Sequence, residues 1–290
     1  MARRACLCLV LVVLAGCGGP RPLVVASKNF TEQIVLGEIV AQHLENRLHQ
    51  RVDRKLNLGG TMLVHQAMLR GQVDVYPEYT GTALTAVLKY PLQTDPKAVL
   101  TKVRTAYQPF GIEWLPPFGF NDSFAMVVRG DDARQKHITT LTSAAGPEWK
   151  LGVGYEFASR PDGLPALQKA YPQLRFSGSP VTMDLGLLYQ ALRTQQVRMV
   201  AGNTTDGALS RLDAVVLQDD RGAFPPYEAC LLVRQASLAK EPRLKAALGE
   251  LSGRIDEKTM RKLNDSVDRE HRPVRVVAEE FLRTLPQPGK

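Results

Sequence analysis

The alternation of short apolar runs with helix-patterned stretches between Leu23 and Tyr76 is the tightest constraint on this chain's fold. Leu23 to Ala26, Val52 to Leu58 and Val73 to Tyr76 read as strands. Between the first two, Ile34, Val35, Ile39, Val40, Leu44 and Leu48 recur at helical intervals. Between the second and third, Met62 to Arg70 reads as a helix that Gly71 ends. Asn29 is expected to cap the first helix, with Glu32 completing a capping box. His43 and His49 fall off its apolar face and are expected in solvent. Strand–helix–strand–helix–strand order predicts a parallel sheet, because parallel neighbours need a crossover, and helices make it. The expected fold class is therefore α/β.

Parallel strands share a carboxyl edge, and open α/β sheets bind ligands along it. Two polar segments are expected on that edge. One is the loop Ser27-Lys28-Asn29; the other is Pro77-Glu-Tyr-Thr-Gly-Thr82. Pro77 has no N–H for a sheet ladder and is expected to end the third strand. Gly81 permits a tight turn or a close approach. Tyr79 and Thr82 would then project a ring and a hydroxyl from the edge, while Tyr76 stays buried.

Tyr107 to Phe120 is dense in proline, glycine and aromatic residues and reads as a crossing between lobes. A second α/β unit follows. Its expected strands are Ser123 to Arg129, Lys150 to Gly154, Val197 to Ala201 and Ala214 to Leu217. Its expected helices are Gly163 to Tyr171, capped by Asp162, and Met183 to Arg193, which carries an apolar face. Residues 131–148 read as loop, and Gly202 to Gly207 as a polar turn in which Asp206 is a turn former. Phe224-Pro-Pro-Tyr227 is a second aromatic–proline knot and a plausible return crossing. Three helices, Pro242 to Leu251, Asp256 to Val267 and Val274 to Thr284, close the chain. Residues 23–117 and 220–290 are thus expected to form one lobe and residues 118–219 the other.

Catalytic patterns are missing. The five histidines show no HExxH spacing, and no CxxC occurs. There is no GxSxG elbow, no P-loop, and Gly152-Val-Gly154 lacks the third glycine of a dinucleotide fingerprint. Glu78 and Asp206 are carboxylates with no partner visible in the sequence. An enzyme, a metal site and a bound cofactor are not expected. The formal net charge of +8 favours anionic partners, but no Lys/Arg block concentrates it.

The N-terminus carries an address. Met1 to Arg4 is a positive segment and Ala5 to Val13 a short apolar one. Leu14-Ala-Gly-Cys17 resembles the bacterial lipobox, which implies that residues 1–16 are a signal peptide and Cys17 is acylated. Residues 17–22 read as a tether. The expected location is the periplasm or cell surface, lipid-anchored to a membrane, where nucleic acid is not an expected partner. Cys6 and Cys8 leave with the signal, so Cys230 remains as a lone, buried small hydrophobe.

Several segments together carry a family resemblance. They are Ser27-Lys-Asn-Phe-Thr-Glu-Gln33, Lys55 to Thr61, Asp74 to Thr82, Thr205-Asp-Gly207 and Phe224-Pro-Pro-Tyr227. The combination resembles the solute-binding proteins of quaternary-amine ABC transporters, whose ligands include glycine betaine, choline and carnitine. That resemblance implies a two-lobed periplasmic-binding-protein fold of type II with two crossover strands. It also implies an interlobe ligand, permease and ATPase subunits as partners, and a role in osmoprotection. The family's aromatic box, which holds a trimethylammonium head by cation–π attraction, falls at Tyr79, Phe124, Asn203 and Tyr227. Phe124 lacks the hydroxyl and Asn203 lacks the ring. Thr82 and the Ser27, Lys28 and Asn29 segment are the expected donors to a ligand carboxylate. The altered box leaves two alternatives: a receptor for another zwitterion, such as ergothioneine or an amino acid, or a sensory lipoprotein that no longer transports.

Overall fold

The computed structural model describes residues 21–286; the expected signal peptide, Cys17 and all but the end of the expected tether lie outside the described residues. In chain order the strands are β1 Leu23–Lys28, β2 Val52–Gly59, β3 Val75–Tyr79, β4 Ile112–Trp114, β5 Phe124–Arg129, β6 Glu148–Trp149, β7 Leu151–Val153, β8 Arg175–Phe176, β9 Val181–Thr182, β10 Met199–Asn203, β11 Ala214–Leu217 and β12 Ala229–Arg234. The first sheet runs β2-β1-β3-β12-β4 and the second β11-β5-β10-β7-β9. β1 is parallel to β2 and β3, as the strand–helix alternation requires. β12 pairs antiparallel to both β3 and β4, so the return crossing inserts the last strand into the first sheet. In the second sheet β7 is parallel to β9 and β10, while β5 is antiparallel to β10 and β11.

The third strand does not end at Pro77. It continues through Pro77 to Tyr79, with Pro77 opposite Leu231 of β12. Register explains the tolerance. The ladder bonds fall on even positions: Arg234 N–H donates to Asp74, and Thr80 N–H to Glu228. An antiparallel ladder alternates bonded and non-bonded pairs, so Pro77 occupies a non-bonded pair and no donor is missed. On its other side β3 meets β1 in register at Val25–Val75, below the proline.

Ser27 and Lys28 likewise belong to strand β1 rather than to a loop. Helix α1, Thr31–Leu48, starts without a side-chain cap, so the expected Asn29–Glu32 capping box does not form; Glu32 turns inward instead. α1 is covered on both sides, by β1 and β2 and by the closing helices Leu244–Gly249, Glu257–Asp268 and Val274–Thr284. Gly37 permits the close fit: a Cβ there would lie 2.6 Å from Leu56 Cδ2. The same cover buries His43, contrary to expectation, and its Nε2–H donates to Ala247 O at 2.8 Å. His49, in the left-handed C-cap position, is exposed as expected.

The two crossings pair with each other. Phe118 N–H donates to Ala229 O, Ala229 N–H to Phe120 O, and Asp122 N–H to Tyr227 O. Residues just before the return stay bonded to the second lobe: Gln218 N–H donates to Thr139 O, and Asp219 accepts from the Tyr171 hydroxyl. Three further local readings change. Gly130–Lys136 is helical within the expected loop. Asp162 makes no cap to helix Leu164–Ala170. Met183 to Arg193 resolves into a 3-10 turn, Leu185–Leu187, and a short helix, Leu188–Arg193, leaving Leu187 exposed. Among the described residues, no helix is long and apolar enough to cross a membrane.

Candidate functional site

The lobes face each other across a cavity of about 900 Å³ lined by β1, β3, β5, β10, both crossings and the closing helix Glu257–Asp268. Tyr79 ends β3, where the strand hands over to helix at Thr80. Its ring stacks on Phe30 at 6.3 Å, and its hydroxyl donates to Glu32 Oε1 at 2.6 Å. Gly81 lets the return crossing close in, since a Cβ would meet Pro226 O at 2.6 Å. Phe124 opens β5 opposite Asn203, the last residue of β10. The Phe124 ring meets Phe157 at 4.9 Å and Tyr227 at 5.3 Å, both edge-on. Tyr79, Thr82, Phe124, Asn203, Tyr227, Lys28 and Asn29 all line the cavity. Ser27 does not. It is buried in the β1–β2 seam, where its hydroxyl donates to Lys28 O and accepts from Asn57 N–H.

Sequence reasoning missed the charged frame around these rings. Lys28 and Glu78 form a buried ion pair, and Glu78 also accepts from Tyr79 N–H at 2.7 Å. Lys28 Nζ lies 4.9 Å from the Tyr79 ring centre. Arg160, from the other lobe, holds Asp162 through both carboxylate oxygens at 2.9 and 2.5 Å. Its guanidinium lies 5.2 Å from the Phe124 ring centre and 6.0 Å from that of Tyr227. It also donates to the Thr82 hydroxyl at 3.0 Å, and the Tyr227 hydroxyl donates to Asp162 at 2.8 Å. Nothing periodic marks Arg160 or Asp162 in the sequence. Their proline-containing loop is positioned only by the folded second lobe.

A second contact joins the lobes at the cleft. Glu156 accepts from Thr61 N–H at 2.7 Å and from the Thr61 hydroxyl at 3.0 Å, at the start of helix α2, Thr61–Leu69. A helix N-terminus favours an anion, and here the other lobe provides it. Burial opposes the Glu156 charge, but Lys28, Arg160 and the Thr61 bonds outweigh it and hold the carboxyl below its ordinary value.

Acids dominate the far wall. Burial pushes Glu32 up to about 7, although bonds from Thr205, Tyr79 and Asn264 pull the other way. Burial and the Glu32 charge hold Asp122 well above the usual carboxylate range. Burial lifts Asp206 to about 6 while it accepts from Tyr189 OH at 2.6 Å and Asn203 N–H at 2.7 Å. The Thr205 hydroxyl donates to Asp122 at 2.6 Å. Asn264 donates to Glu32 at 3.2 Å and to Thr205 O at 3.0 Å, tying the closing helix to both lobes. The arrangement can enclose a small cationic or zwitterionic solute. Among the described residues, no three His, Cys, Asp or Glu converge closely enough to hold a metal ion.

Comparison with known proteins places this cleft. The profile of the OpuAC family, the substrate binding domain of the ABC-type glycine betaine transport system, matches residues 21–284. The chain belongs to that family. It is therefore a solute-binding receptor of the ABC-transporter type, not an enzyme. It is 34% identical over 270 residues to the ergothioneine transport permease/ergothioneine binding protein EgtU of Helicobacter pylori (strain G27), covering 91% of this chain and 48% of that protein. The chain thus spans about half the length of that relative. It is 33% identical over 258 residues to the carnitine transport binding protein OpuCC of Listeria monocytogenes serotype 1/2a (strain 10403S), covering 87% of this chain and 83% of the relative. The crystal structure of a glycine betaine/carnitine/choline ABC transporter superposes with a TM-score of 0.76 at 28% identity, covering 90% of this chain and 97% of the other. The type II periplasmic-binding-protein fold expected of the OpuAC family is the one observed.

Proposed function

We propose that this chain is a lipid-anchored extracytoplasmic receptor that encloses a quaternary-amine solute between its lobes and delivers it to ABC permease and ATPase subunits. The observation that carries the reading is the convergence of Tyr79, Phe124 and Tyr227 on one interlobe cavity, from β3, β5 and the return crossing. A quaternary ammonium has no N–H to donate, so ring faces and nearby negative charge are what can hold it. Thr82, Asn29, Asn203 and Lys28 complete the wall in this reading. Anchoring is supported by Leu14-Ala-Gly-Cys17 following a short apolar segment, all outside the described residues. The likeness to EgtU favours ergothioneine as a second candidate, itself a trimethylammonium compound.

Calorimetric titration of the mature protein with glycine betaine, choline, carnitine, proline betaine and ergothioneine tests the assignment. Saturable heat is expected with at least one, and Tyr79→Ala should abolish it while the far-UV spectrum stays folded. No heat with any of the five would remove the ligand assignment and leave the fold intact.

A further inference from the structure

Part of the positive charge that the sequence spreads along the chain gathers at the edge of the first sheet opposite the cleft. β1 and β3 start at this edge, and antiparallel β12 ends there. Around the turn Arg70-Gly71-Gln72, Arg21 donates to Gly71 O at 2.8 Å and Lys55 to Gln72 O at 3.2 Å. Arg234 packs over the same glycine, with its guanidinium 3.1 Å from where a Cβ would stand. Arg70 is exposed beside it. One buried acid answers these four cations: Asp74 lies 3.0 Å from Arg21 and 3.6 Å from Arg234. Lys55 and Arg70 have no carboxylate partner among the described residues. The flanking charges cancel in pairs, Arg51 with Asp53, Arg243 with Glu241 and Lys245 with Glu113, so they do not offset the excess.

Two apolar side chains stand out from the same edge. Leu69, 38% exposed, precedes Arg70; Phe110, 48% exposed, comes just before β4, whose first residue pairs with Arg234. Cations beside exposed apolar groups suit a lipid surface, because the charges meet headgroup phosphates while the apolar groups reach the acyl boundary.

The entry of the chain brings this edge to such a surface. Only residues 18–20 separate Cys17 from Arg21, so an acylated Cys17 lies within about 14 Å of the point where Arg21 is clamped to the lobe. β1 then runs away from the edge toward the cleft. Its 6 residues, at about 3.3 Å each, set the cleft about 20 Å from the lipid.

We propose that this edge of the first lobe is a membrane-contact surface whose occupant is the anionic headgroup layer of a phospholipid bilayer. The proposal is separate from the solute assignment; it rests on the acylation of Cys17 for the nearness of the membrane.

Vesicle co-sedimentation at low salt tests it, using the mature chain with Cys17→Ser so that no lipid anchors it. Binding is expected to vesicles of phosphatidylglycerol mixed equally with phosphatidylcholine, with little to phosphatidylcholine alone, and it should be lost in high salt. Each cation near an anionic surface contributes about fivefold to partitioning. Lys55→Gln together with Arg70→Gln should therefore weaken partitioning by about 25-fold. Both residues lie outside the solute cavity, so melting temperature and solute binding should match wild type. Equal binding to the two kinds of vesicle, or an unchanged partition in the double variant, overturns the proposal. Binding to neither vesicle also overturns it and leaves the edge to a protein partner. Mass spectrometry of the full chain extracted from membranes reads the anchor separately: an unmodified Cys17 removes the anchoring, and the vesicle result still decides the surface.

Discussion

Replacing Glu156 with alanine should loosen the closed cleft without harming either lobe. Glu156 belongs to the helix Tyr155–Ser159 of the second lobe, and its carboxylate caps helix α2 of the first. The contact comprises one bond to a backbone N–H at 2.7 Å and one to a hydroxyl at 3.0 Å. A hydrogen bond to a charged group contributes about 1.5–3 kcal/mol, and an anion at a helix start adds about 0.3–1 kcal/mol. The side chain is 45% exposed, so water competes for the same groups and the low end applies. About 1.4 kcal/mol taken from the closed state alone weakens a ligand that requires closure by about tenfold. Calorimetry with the tightest binder of the betaine panel measures this, and small-angle scattering of the ligand-bound form reports the loss of compactness. Thr61→Val removes the hydroxyl bond and keeps the backbone one, so it should cost less than Glu156→Ala, and the double variant little more than Glu156→Ala. A dissociation constant within about twofold of wild type for Glu156→Ala would show that this contact does not hold the lobes together.

Two further outcomes follow from the buried charges. Glu78→Ala strands the Lys28 ammonium in the interior, which should destabilise the fold by about 3–5 kcal/mol and lower the melting temperature by roughly 6–20 °C; Lys28→Met together with Glu78→Leu should recover most of it. Glu32 and Asp206 titrate at about 7 and about 6 in the folded chain, above their ordinary 4.5 and 3.8. The folded state therefore holds protons there that the unfolded chain has released. Their stabilisation is full below the ordinary values and is lost as pH rises through about 6–7, so the ligand-free melting temperature should drop between about pH 5 and about pH 8. Glu32→Gln with Asp206→Asn should flatten that drop, and a drop of unchanged size would show that other groups cause it.

Much of the fold is legible because its signals are local. Apolar periodicity and the Gly and Pro punctuation mark the alternating strands and helices; Tyr79, Phe124 and Tyr227, grouped in the sequence by the family resemblance, line one cavity from both sheets and the return crossing. Errors arise where one residue type serves two purposes. Glu32 fits a capping box and Asp162 fits a cap, yet both are drawn into the cleft. Pro77 reads as a strand end, but its position in the β12 register leaves no ladder bond to lose. His43 reads as solvated until the closing helices cover it.

The sequence by itself determined a parallel α/β lobe, a second α/β unit joined by two aromatic–proline crossings, and a ring-bearing carboxyl edge. These depend on backbone sterics and on hydrophobic spacing over a few turns, which neighbours in the chain decide. Only the tertiary structure decided the charge of the cleft. Glu32, Asp122 and Asp206 come from an opening helix, a crossing and a distant turn, and Arg160 comes from a loop without pattern. Burial and mutual distance set what a carboxylate does, and both exist only once the two lobes are folded around one cavity.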